Sequence, residues 1–218
     1  MAQNTTAPPS PVQVQPAAKP GLATPPPGWS YLAELAPYGP ADIFHIVPGK
    51  SGDGPATQMQ AHTKSNVGIL VRDADVALTP ATTLKWQWNV AELPSKLTED
   101  VAAHHDYLSI AVQFDNGKDL TYMWSTALPP GTGFHCPLPG WTERETHVVI
   151  RSGAGDLGKW LAEERSVQAD YAKYVGGPLP SKIVHVWLIA NSIIQKGEGD
   201  ARFADISLGD GSQRVQVF

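Results

Sequence analysis

The sequence is short of several things, and each shortage narrows what it can be. It has one cysteine, Cys136, which rules out an internal disulfide and a Cys-based zinc cluster. No apolar run approaches the ~18 to 20 residues that a membrane-spanning helix requires. No run of basic residues exists, and the net charge is −5, so nucleic acid is not an expected partner. The glycine-rich piece Gly153-Ala154-Gly155-Asp156 lacks the strand–loop–helix setting of a phosphate loop, and no internal repeat is visible. The N-terminus lacks the basic and apolar regions of a secretory leader. The same start, Met1-Ala2-Gln3-Asn4, also fits a mature secreted protein given a start Met, so periplasmic or secreted and cytoplasmic settings all stay open.

Among the 218 residues, Pro and Gly are plentiful at 20 each, beside seven Trp. That balance favours many short elements over long helices. Residues 1–27 are rich in Pro, Ala, Gln and Thr and end in Pro25-Pro26-Pro27. With few apolar side chains to offset its ordering entropy, this stretch is expected to be a flexible tail, and residues 28–218 a single folded domain.

From there, alternating segments follow one another. Asp42–Val47, Ala56–Thr63, Val67–Val71 and Thr83–Val90 come first, the last with Leu84, Trp86, Trp88 and Val90 on one face and Lys85, Gln87 and Asn89 on the other. The clearest alternation runs from His105 to Phe114, with Leu108, Ile110, Val112 and Phe114 opposite Tyr107, Ser109, Ala111 and Gln113. Asn116-Gly117 then predicts a hairpin into Leu120–Ser125, because both residues tolerate positive φ. Residues 127–142 read as a Pro- and Gly-rich lid or rim. Thr146–Arg151 and Lys159–Arg165 read as strands, Ser166 as the cap of a short helix ending at Gly176-Gly177, and Ile183–Ala190 as a strand buried on both faces. Arg202–Leu208 and Arg214–Phe218 complete the pattern. The expected fold is all-β: a two-sheet antiparallel β-sandwich of jelly-roll type with one short helix.

Several of these motifs occur together in a known family. Leu84-x-Trp86-x-Trp88-x-Val90, Asp106-Tyr107 leading to Phe114, Leu120-x-Tyr122-x-Trp124, and Glu164-Arg165-x-Val167 with Asp170-Tyr171 and Gly176 resemble, in that order, the bacterial domain-of-unknown-function family 3047 (DUF3047). The resemblance covers roughly residues 84–208. It implies a β-sandwich and an export signal, and no general activity. The chain departs from the family pattern at His105-Asp106, where paired acids are usual, and at Ala190–Ile194, where an acid- and Asn-rich stretch is usual.

Three constellations carry possible chemistry. The first is a concave sheet face on which Gln87, Asn89, Tyr107, Ser109, Tyr122, Trp124, Arg151, Glu163, Arg165 and Asn191 would converge. It offers flat aromatic faces and polar groups to a small polar or carbohydrate-like ligand, the expected partner. Trp86, Trp88 and Trp187, with apolar strand neighbours, read instead as core. The second is acid–base catalysis by His105, Asp106 and Tyr107, as a lyase, cyclase or hydrolase would use. The Arg-x-Glu-x-Arg and Gln-x-His motifs of sandwich-type polysaccharide lyases are absent. The third, ranked last, sets His104-x-Asp106 with His185 and Arg202 as an iron site of the jelly-roll oxygenase kind. Cys136 reads as an inert thiol. The leading expectation is therefore ligand binding without a metal or other cofactor.

Overall fold

The computed structural model describes residues 23–32, 34, 35, 42–50, 52, 54–211 and 213–218. The tail expected over residues 1–27 lies, for residues 1–22, outside the described residues. The described residues contain thirteen strands: β1 (Ser30–Tyr31), β2 (Phe44–Pro48), β3 (Thr57–Lys64), β4 (Val67–Ala77), β5 (Thr83–Glu92), β6 (Tyr107–Phe114), β7 (Asp119–Ser125), β8 (Gly133–His135), β9 (Glu145–Ser152), β10 (Leu161–Ser166), β11 (Lys182–Asn191), β12 (Glu198–Gly209) and β13 (Arg214–Gln216). They form two sheets. One runs β1-β4-β11-β6-β7-β9-β8; the other runs β10-β5-β12-β3-β2, with β13 beside β12. The β-sandwich expected from the alternation is the observed fold.

The hairpin between β6 and β7 forms as the Asn-Gly pair predicts. Gly117 takes φ +81°, and its N–H donates to the Phe114 carbonyl at 3.0 Å. The short helix is also present, as α1 (Val167–Asp170) continuing in a wider turn through Tyr171–Val175. Ser166 holds the N-cap position without a capping side-chain bond, so the helix is secured otherwise. The Arg165 guanidinium grips the Asp170 carboxylate through Nε at 2.8 Å and Nη2 at 2.6 Å, and the same carboxylate accepts the Tyr122 hydroxyl at 3.1 Å.

Period-two alternation places one row of each strand between the sheets. Trp86 and Trp88 of β5 meet Tyr122 and Trp124 of β7 there: Trp86 stacks on Tyr122 with centroids 5.6 Å apart, and Trp88 lies 5.4 Å from Trp124. All four are essentially without exposure. Each such ring buries on the order of 150–250 Å² and adds about 0.5–1.5 kcal/mol per aromatic pair beyond that area. These contacts tie the two sheets together.

One pairing departs from the antiparallel expectation. β9 runs parallel to β7, with Asp119 opposite Glu145 and Thr121 opposite His147. A parallel neighbour demands a long crossover rather than a hairpin. Residues 126–144 make it: β8 within them joins the sheet edge beside β9, and Leu128 and Trp141 on either side of it pack on the outer face. Leu128, Phe134 and Trp141 from this crossover, with Leu32 and Leu35, cover a second apolar cluster of Ile69, Val71, Tyr107, Ala111, Met123, Val149, Trp187 and Ile189. The outer face of β6, β7 and β9 is therefore interior too.

Candidate functional site

The crossover decides where the polar groups of β6, β7 and β9 lie. Glu145 and His147 alternate outward from the start of β9, next to Thr121 of β7, which itself pairs with β6. β8 lies antiparallel to β9, and the Cys136 N–H donates to the Glu145 carbonyl at 2.9 Å, which sets the thiol beside that carboxylate. The loop entering β6 brings His105 to the same place. His105, Cys136, Glu145 and His147 are all buried, and one candidate donor atom from each lies within 4.8 Å of the others.

Hydrogen bonds hold this cluster in register. His105 Nδ1 donates to the Glu99 carbonyl at 2.5 Å, and its Nε2 faces Cys136 Sγ at 3.3 Å. Glu145 Oε1 accepts the Tyr107 and Thr121 hydroxyls, each at 3.1 Å, and lies 3.4 Å from His147 Nε2. Neither ring nitrogen of His147 has a hydrogen-bond partner. The His147 ring stacks on Phe134 at 4.9 Å and stands edge-on to His105 at 4.7 Å.

The electrostatics follow from burial. Desolvation, helped by repulsion from His147, lowers His105 to about 4, so its ring is neutral at pH 7. Burial, reinforced by the Glu145 charge, pushes the Cys136 thiol and the Tyr107 phenol well up. Burial also opposes the Glu145 carboxylate, but His147 and His105 beside it outweigh that and bring it down to about 2. Asp119, buried next to this charge, is raised well above the carboxylate range, first by burial and then by Glu145.

The residues singled out from sequence fall into five places rather than one face. His105 and Tyr107 belong to the buried cluster. Asp106 does not: its two oxygens accept the Ile194 and Gln195 N–H groups at 3.0 and 2.6 Å, anchoring the turn between β11 and β12. Asn191 is a similar anchor, donating to the His105 carbonyl at 2.8 Å. Tyr122 and Trp124 are in the inter-sheet core, which removes them from the expected aromatic ligand platform. Arg151 donates to Glu163 at 2.7 Å and Trp88 Nε1 to the same oxygen at 3.1 Å, joining the sheets at one edge as Arg165 and Asp170 do nearby. Gln87 and Asn89 face outward on β5, bonded to Asp205 at 2.6 Å and the Gly158 carbonyl at 2.9 Å. The alternation holds along each strand; the convergence of these residues on one shared face does not.

The oxygenase-like set is also dispersed. Along the β6–β11 ladder Asn191 pairs with Tyr107 and His185 with Gln113, so His185 sits at the far end from His105 and Asp106. Its Nδ1 meets Gln113 Oε1 at 2.6 Å. Arg202 belongs to the other sheet and donates to Gln58 at 3.2 Å. Conversely, Glu145 and His147 were not singled out from sequence. The signal was there: Glu-x-His at the head of an alternating strand puts both on one face.

A family model described as "Protein of unknown function (DUF3047)" matches residues 50–207, which include every residue of the buried cluster. The chain belongs to the DUF3047 family. No curated protein matches this DUF3047 chain. Solved structures similar to it include the xyloglucanase domain of NopAA, a type three effector from Sinorhizobium fredii in complex with cellobiose, at 10% identity and TM-score 0.45, covering 86% of this chain and 96% of that one. A family 11 carbohydrate-binding module from Clostridium thermocellum in complex with a β-1,3-1,4-mixed-linked tetrasaccharide is similar at 13% identity and TM-score 0.42, covering 85% and 91%. Endoglucanase Cel12A from Rhodothermus marinus is similar at 9% identity and TM-score 0.44, covering 79% and 93%.

Proposed function

We propose that this DUF3047 protein binds a polar, carbohydrate-like ligand on the outer face of the β10-β5-β12-β3-β2 sheet. The observation that carries the reading is the contrast between the two outer faces. On the β1–β8 sheet the crossover covers the outer face around Tyr107, Met123 and Trp187, and the end at Asp73, Asp75 and His185 lies beyond it. On the β10–β2 sheet, Lys85, Gln87 and Asn89 of β5 project outward beside Asp200, Arg202 and Asp205 of β12. Two adjoining hollows lie along this row. One of about 400 Å³ is lined by Lys85, Gln87, Glu164 and Asp205; the other, of about 220 Å³, by Asn89, Gly158, Asp200 and Arg202. Amides, carboxylates and a guanidinium in one row match the mixed donors and acceptors of a polyhydroxylated chain. With these polar groups forming the row, hydrogen bonding rather than aromatic stacking supplies the recognition.

Acid–base catalysis by His105 and Tyr107 ranks below binding. Both are buried, and both already spend their polar atoms on Glu99, Cys136 and Glu145. The test is a thermal-shift screen against neutral oligosaccharides and uronates, followed by calorimetric titration of any hit. Gln87→Ala combined with Arg202→Ala should weaken a hit about fivefold or more, as loss of two hydrogen bonds of about 0.5–1.5 kcal/mol each predicts. Trp124→Phe, in the core, should leave affinity unchanged. Undiminished binding by the double variant would place the ligand elsewhere, and a panel without a hit would remove the carbohydrate reading.

A further inference from the structure

The buried cluster beneath the crossover has no place in surface ligand binding, yet its donors converge from distant parts of the chain. Three separate pieces supply them: the loop before β6 gives His105, the turn after β8 gives Cys136, and β9 gives Glu145 and His147. We propose that His105, Cys136, Glu145 and His147 bind one zinc-class divalent metal ion as a closed, structural site.

Four observations support the assignment. First, two of the six donor–donor edges have tetrahedral length, and all four donors lie within 4.8 Å of one another. Metal–ligand bonds of about 2.0–2.3 Å imply ligand–ligand edges of roughly 3.3–3.8 Å. His105 Nε2 to Cys136 Sγ is 3.3 Å, and Glu145 Oε1 to His147 Nε2 is 3.4 Å. Second, His105 donates its other ring nitrogen to a backbone carbonyl, the outer contact that orients a ligating imidazole and leaves Nε2 as a lone pair. Third, His147 is fully buried without a formed hydrogen bond at either nitrogen, its Nε2 only facing the Glu145 oxygen at 3.4 Å, although its ring is pinned by Phe134. An imidazole so enclosed is costly unless something else accepts its lone pair. Fourth, one thiolate and one carboxylate balance a dication, and the S, N, N, O donor set suits zinc rather than calcium or magnesium, which take oxygen. The thiol proton leaves for solvent when the ion binds.

Four protein ligands leave no open position, so the ion would not take substrate. Its place in the fold points to a staple, which fastens the crossover 126–144 and the loop before β6 onto the sheet. This inference is independent of the surface binding reading.

The test uses the untagged full chain, stripped with a chelator and titrated with Zn²⁺ or Co²⁺. The expected result is one tightly held metal per chain, a higher melting temperature, and for Co²⁺ a thiolate charge-transfer band with tetrahedral visible absorption. Cys136→Ser should abolish that band, and His147→Gln should weaken binding at least tenfold. His62→Ala, which disrupts the exposed His62–Glu198 pair, should change nothing. The cobalt spectrum of the unmutated protein stands even if a variant fails to fold. No retained metal and no melting shift, or a band that survives Cys136→Ser, would overturn the assignment.

Discussion

Asp106 offers the sharpest test of how this region works, because a catalytic and an anchoring role predict opposite behaviour. Its carboxylate is fully buried and takes two main-chain N–H groups, from Ile194 and Gln195. Hydrogen bonds to a charged acceptor contribute about 1.5–3 kcal/mol each, so the pair is worth roughly 3–6 kcal/mol before other terms. Removing the carboxylate also relieves its burial, the main influence raising its pKa. Water can reach part of the freed turn, since Ile194 and Gln195 are only half-buried. The net expectation for Asp106→Ala is a loss of about 2–4 kcal/mol. For a domain of this size 1 kcal/mol corresponds to about 2–4 °C, so melting should fall by roughly 4–16 °C. Asp106→Asn is no rescue: its NH₂ group would face one of the two N–H donors, and more than half of the loss should remain. Calorimetric or circular-dichroism melts measure both. If Asp106→Asn melted within about 2 °C of the unmutated protein, the anchoring argument would fail and a chemical role for the carboxylate would return.

Two further outcomes follow from the ties between the sheets. Glu163→Ala should cost about 1–3 kcal/mol by chemical denaturation, because it leaves the buried Trp88 Nε1 without its acceptor, whereas Glu163→Gln, which keeps an acceptor oxygen, should cost less. Equal losses for the two would mean that the Arg151 charge pairing, not the Trp88 bond, dominates. Tyr122, like Tyr107, contributes to alkaline behaviour: burial, then the charge of Asp170, holds its phenol well above the ordinary value of 10.0. Above pH 10 the unfolded chain releases this proton and the native one does not, so the stability present below pH 10 is lost as pH rises. Phenolate absorbance should therefore stop short of all six tyrosines until the fold collapses; full ionisation before unfolding would contradict the buried Tyr122–Asp170 contact.

Much of the fold is legible in the amino-acid sequence itself. Leu84, Trp86, Trp88 and Val90 alternate, and they line the inter-sheet core. Asn116-Gly117 marks a hairpin, and a hairpin forms. Gly176, at φ +71°, ends the short helix where the pattern stops. Each of these rests on local chemistry, the pleat of a strand or the φ that glycine permits, and local chemistry is written residue by residue. The alternation also divides the Tyr107 row from the Leu108 row correctly.

What covers a face is not local. The Tyr107 row reads as a polar surface, yet it lies under Phe134 and Trp141, because the crossover needed for a parallel β9 passes over it. Tyr122 and Trp124 read as a ligand platform, yet they fill the space between the sheets. The same crossover joins His105 to Cys136, 31 positions apart, and both to Glu145 and His147. A period of two states which residues share a face of their own strand. It cannot state which strand lies alongside, in which direction, or what packs on top, and those long-range choices alone made one buried cluster out of scattered His, Cys and Glu residues.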